Sequence, residues 1–122
     1  MAKAATRPYG EIVQARVSRE PAYAAALLEE AVRCFVRGET AVARAHVRDV
    51  IKGSIGYAEL ARRTGTPETS LIRMFGPSGN PTFENVANVL ATLQDFGGVD
   101  LQINSAPRRK RASKRPTASS RT

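Results

Sequence analysis

Cysteine is almost missing from this chain. Cys34 stands alone, so no disulfide can close within it, and one Cys with one His cannot supply an all-Cys/His structural zinc site. There is no Trp and only four Phe and three Tyr, which leaves the core to aliphatic side chains. At 122 residues the chain is long enough to build such a core without metal or cross-link. Long apolar runs are also lacking: the longest, residues 22–28, falls far short of the roughly 20 residues that cross a bilayer. The beginning, with Arg7, Pro8 and Glu11, holds no apolar stretch of secretory-signal length. A cytoplasmic protein is therefore expected. Acidic residues are absent from one place in particular. Residues 105–122 contain seven Lys and Arg and no Asp or Glu, while residues 1–104 contain 12 basic and 11 acidic side chains. The formal charge of +8 is thus concentrated at one end. A near-neutral body with a basic tail points to a polyanionic partner, nucleic acid first and a membrane surface second.

The apolar pattern of the body has helical period. Residues 1–17, with Pro8 and Gly10, carry no long periodicity and read as an arm. Residues 21–37 predict a first helix, with Pro21 in its first turn, Gly38 after its end, and Tyr23, Leu27, Leu28, Val32, Phe35 and Val36 on a broad apolar face. Thr40 is placed to cap a second helix over residues 41–51, with Val42, Val47, Val50 and Ile51 inward. A short third helix covers residues 57–64. Thr66 is placed to cap a fourth, running from Pro67 to Phe75. The stretch Gly76-Pro-Ser-Gly-Asn-Pro81 is a loop, and Thr82 caps a fifth helix over residues 83–96 with Phe83, Val86, Ala87, Leu90 and Leu93 inward. Residues 99–103 alternate apolar and polar and predict one short extended strand. The expectation is an all-α fold: a compact five-helix helix–turn–helix domain over residues 18–104, with an arm before it. Residues 105–122 lack large apolar side chains and are expected to be disordered when free.

The window Tyr57-Ala-Glu-Leu-Ala-Arg-Arg-Thr-Gly-Thr-Pro-Glu-Thr-Ser-Leu-Ile-Arg-Met-Phe75 carries the function. Two helices crossing closely need a small residue on the first, and Ala61 is small. The turn four positions later needs a residue that tolerates positive φ, and Gly65 supplies it. The second helix must pack back, through Leu71 and Met74 onto Leu60. Glu68, Thr69, Ile72 and Arg73 then face outward together, on the side that enters a major groove. An ordinary helical hairpin shares this spacing. The flanking helices of suitable length and the basic excess favour DNA recognition.

The same residues carry a resemblance. Glu59-Leu60-Ala61, Thr64-Gly65, Ser70-Leu71, Arg73 and Gly79-Asn80-Pro81, followed by the helix to Leu93, resemble the addiction-module antidote (antitoxin) branch of the Xre, or lambda-repressor-like, helix–turn–helix proteins. The likeness extends more loosely upstream through residues 27–38 and 47–51. It implies operator DNA bound as a homodimer, repression of transcription, location on the nucleoid, and, in toxin–antitoxin members, neutralisation of a small protein toxin. Glu68, Thr69, Ile72 and Arg73 are then the base-reading residues, and Tyr57, Thr66, Ser78 and Asn80 the contacts to the DNA backbone. Relatives tend to carry Ser then Arg or Lys where this chain has Pro67-Glu68, so an operator sequence does not transfer.

Other features point elsewhere or nowhere. The Gly76–Pro81 loop lacks the Gly-Lys-Ser/Thr ending of a catalytic phosphate cradle, leaving a DNA-backbone turn or a plain connector. His46 has no Ser or Cys spaced to meet it, and Cys34 reads as a small core residue. No enzyme, metal or cofactor is expected. Arg108, Arg109, Lys110, Arg111, Lys114 and Arg115 form a tail that either follows phosphates or merely solubilises. Val89 with Phe96 is the candidate stripe for a toxin. The last helix with the 99–103 strand is the expected dimer surface.

Overall fold

A computed structural model describes residues 9–108. Among these the protein is all-helical: α1 Tyr9–Arg19, α2 Pro21–Val36, α3 Thr40–Gly53, α4 Tyr57–Thr64, α5 Glu68–Met74 and α6 Phe83–Gly97. The basic residues from Arg109 to Arg121, and the first eight residues of the expected arm, lie outside the described range.

The rest of the expected arm is a helix. Val13 and Val17, four apart, form a buried stripe on α1, with Glu11 in the first turn and Arg16 and Arg19 in the last, the charge order a helix dipole favours. The helix stops because Pro21 excludes helical backbone at the preceding residue, and Glu20 is extended at φ −127°, ψ 96°. α1 packs on both α2 and α3. Gln14 Nε2 donates to Asp49 Oδ1 at 2.7 Å, and Asp49 is the one buried charged residue among those described. The approach to α3 is close enough to require glycine: a Cβ at Gly53 would stand 2.6 Å from the Gln14 carbonyl oxygen and 2.8 Å from Val17 Cβ.

Local chemistry sets several other boundaries. Thr82 caps α6 by accepting from the Asn85 N–H at 3.1 Å. Gly65 ends α4 in the left-handed region at φ 75°, its N–H returning to the Ala61 carbonyl at 2.9 Å. Two expected caps do not form. Thr40 lies inside α3 as its first residue, and Thr66 precedes Pro67, whose carbonyl receives the Ser70 and Leu71 N–H groups at the start of α5.

One core joins all but α1. Leu28 and Ala31 from α2, Val47, Val50 and Ile51 from α3, Leu60 from α4, Leu71 from α5, and Val89 and Leu93 from α6 meet around Ile55 and Phe75. Burying each large side chain contributes about 1.5–3 kcal/mol. Cys34 is a buried member of α2, and burial followed by the Glu30 carboxylate pushes its thiol pKa up.

The inward rows differ from the expected ones at both ends of the core. Phe83 is 85% exposed and Ala87 is exposed, while Val89 is 1% exposed. On α2 and α3, Val36 and Val42 are exposed, and Ala31, Cys34 and Ala43 are buried in their vicinity. Val99–Ile103 is not a strand. It leaves Gly98 as irregular chain, tied back by the Leu101 N–H donating to Gln94 Oε1 at 2.8 Å, with Leu101 against the core. Among the described residues no other segment lies alongside to supply ladder bonds. Val89 is interior, so the expected Val89–Phe96 stripe is not a surface stripe, and the strand edge expected beside the last helix does not form.

Candidate nucleic-acid interface

α4 and α5 are short helices joined by Gly65-Thr66-Pro67 and packed on each other. Leu60 and Leu71 are fully interior, and Ala61 and Met74 are half-buried against the same core. This fixes the rotation of α5. Positions one and two and then five and six of a seven-residue helix fall on one stripe, so Glu68, Thr69, Ile72 and Arg73 lie together on the exposed side. Ile72 keeps 47% of its surface in water, flanked by a carboxylate, a hydroxyl and a guanidinium. Arg73 has no acidic partner among the described residues.

The segments bordering α5 are held in different ways. Thr66 is half-buried, its N–H donating to Thr64 Oγ1 at 3.3 Å. After α5 the chain turns through Gly76 to Gly79, closed by the Gly79 N–H on the Gly76 carbonyl at 3.0 Å. Arg44 Nη2 of α3 donates to the Pro77 carbonyl at 3.3 Å and fastens this loop to the body. Ser78 and Asn80 are exposed on it.

Tyr57 is placed differently from the expectation. Its ring packs on the core, and its hydroxyl has no accessible surface and no hydrogen-bond partner. Burial, with the Arg48 cation opposing and the Asp49 carboxylate adding, raises its pKa to about 12. The outward groups at this end of α4 are backbone N–H donors, because the first bond within the helix is made by Leu60 to Gly56.

Glu59 is the electrostatic centre of α4. It accepts from Arg62 Nε at 2.9 Å and Arg63 Nε at 2.8 Å, and Arg62 Nη2 also binds it. These donors hold its pKa down at about 2. Arg63 also lies over the Phe96 ring, 5.4 Å from its centre, linking α4 to α6. The residues that carry the expected resemblance include Glu59 but give no sign of this Arg–Glu–Arg arrangement. The signal that could have found it is the placement of Arg62 and Arg63 three and four residues after an acid on one helix.

Of the tail residues, Arg108 alone is described, as exposed irregular chain; Arg109, Lys110, Arg111, Lys114 and Arg115 fall outside. His46 is half-buried. Among the described residues no group of three His, Cys, Asp or Glu could hold a metal, and no helix is long and apolar enough to cross a membrane. Comparison with protein-family models, curated proteins and solved structures returns no match.

Proposed function

We propose that this protein is a sequence-specific DNA-binding regulator, most simply a repressor, in which α4 and α5 are a helix–turn–helix of lambda-repressor-like type. The observation that carries the reading is the α5 stripe. Four exposed side chains of different chemistry stand on a helix whose opposite side is locked by Leu71 into the core. A rigid helix with a varied, exposed row is what base reading in a major groove requires.

The roles follow from group chemistry. Arg73 donates two parallel bonds to guanine, Glu68 accepts from a cytosine amine, Thr69 bonds either kind of edge, and Ile72 packs on a thymine methyl. Thr66, Ser78, Asn80 and the backbone N–H groups at the start of α4 contact phosphates and set the register. The Tyr57 hydroxyl has no part in this while it remains covered. The basic segment from Arg108 onward adds phosphate contacts without reading sequence.

Two copies are needed, since one short recognition helix reads only half a site. The antitoxin resemblance adds a small protein toxin as a second partner; burial of Val89 leaves Phe96 without its expected companion on that surface.

The test is selection of bound sequences from random duplex DNA with the full chain, followed by the same selection with Arg73→Ala. The expected result is a two-fold-symmetric consensus that loses preference at one position per half-site in the variant. Recovery of no consensus, or of an unchanged one with Arg73→Ala, overturns the reading.

A further inference from the structure

An apolar groove of about 490 Å³ lies open between the end of α2, the start of α3 and α6. Phe35 and Leu90 line it, Val36 and Phe83 stand on its rim at 76% and 85% exposure, and Arg44 and Pro81 close it near the loop. A phenyl ring held almost wholly in water at a helix N-terminus has no role in the fold of one copy. Two charges accompany it. Glu84, the next residue, has no basic partner among the described residues. Arg44 has no acidic one: Nη2 is committed to the Pro77 carbonyl, and Nε is buried without an acceptor.

We infer that this groove is the dimer surface, and that its occupant is the Phe83–Glu84 corner of a second copy of this chain. An isologous interface demands self-complementarity, so a projecting part and its receptor must lie on one patch of one chain. Here the Phe83 ring stands on the rim of an apolar groove, the Glu84 carboxylate follows it in the chain, and Arg44, without an acidic partner among the described residues, lines the groove. A two-fold axis beside Phe83 brings each ring into the other copy's groove and each Glu84 toward the other copy's Arg44. The groove wall at Asn80-Pro81 is also the end of the loop that follows α5. The two recognition helices are therefore carried alongside the axis. The location of the axis rests on the proposed DNA reading only in its purpose, and its test is independent of DNA.

Sedimentation equilibrium of the full chain at tens of micromolar, without DNA, is expected to give a dimer. Phe83→Asp should raise the dimer dissociation constant at least about tenfold, with the helical circular dichroism unchanged because the side chain is exposed in the monomer, and with the concentration dependence of melting reduced. Glu84→Arg and Arg44→Glu should each weaken self-association by placing like charges together. Mixing those two variants should restore a heterodimer, because each then supplies the charge that the other lacks. A monomeric wild type, a Phe83→Asp dimer as tight as wild type, or no recovery on mixing overturns the interface. A monomer that still selects an operator removes the interface alone, and a dimer that selects none removes the DNA reading alone.

Discussion

Gln14 of α1 donates its amide N–H to the carboxylate of Asp49, 35 positions further along, at 2.7 Å. The bond satisfies a buried residue, 6% exposed, that would otherwise keep a charged oxygen without its best donor; Arg48 stands farther off at 3.9 Å. It fixes the register of α1 on α3, which the close approach at Gly53 also demands.

Removing that donor should be felt. Gln14→Ala is expected to lower stability by ~1–3 kcal/mol, the cost of an unsatisfied buried acceptor. Ile12→Ala, on the exposed side of the same helix, should stay within ~0.5 kcal/mol. Urea unfolding of the two variants distinguishes a docked helix from an arm, for which both changes would be silent.

The reading row should separate from the fold. Arg73→Ala and Thr69→Ala are expected to leave melting near wild type while weakening specific DNA binding by ~1–3 kcal/mol each. Leu71→Ala, whose side chain is buried, should lower stability by ~2–5 kcal/mol. Melting curves and gel shifts on the three variants check the orientation of α5.

Glu59 makes a prediction about acid. Its folded pKa of about 2 lies below the ordinary 4.5, so the ionised form is favoured by folding. Its contribution is present in full above pH 4.5, declines as pH falls, and is gone below about 2. The melting temperatures of wild type and Glu59→Gln should therefore differ at neutral pH and converge toward pH 2. A constant gap across that window would exclude the Arg62 and Arg63 bonds as its source.

Salt tests the basic end of the chain. Deleting residues 105–122 removes seven positive charges. If they neutralise phosphates, affinity for specific and nonspecific DNA should fall together. The slope of log affinity against log salt should flatten by ~0.9 for each phosphate no longer neutralised, with the operator consensus retained. An unchanged slope assigns the tail to solubility.

Local chemistry is legible in the chain itself. Gly65 ends α4 because only its missing Cβ makes a φ of 75° inexpensive, and Thr82 caps α6 because its hydroxyl lies three residues from an unbonded N–H. The Leu60–Leu71 packing and the outward row of α5 also follow from spacing across a short turn. The remainder depends on how the helices meet. Val13 and Val17 make a helix of residues 9–19 because α2 and α3 offer a surface to cover them; with Tyr9 and Ile12 off that stripe, the apolar residues alone give too little periodicity to announce it. Val99–Ile103 alternates like a strand, yet a ladder needs a second extended segment, and the described residues hold none: the neighbour is the end of α6, where Gln94 accepts from the Leu101 N–H. Phe83 and Val89 differ by six positions on one apolar helix, and hydrophobicity favours burial of both. The direction in which α6 meets α4 admits Val89 to the core and leaves Phe83 in water, because burial depends on where the neighbouring helices stand.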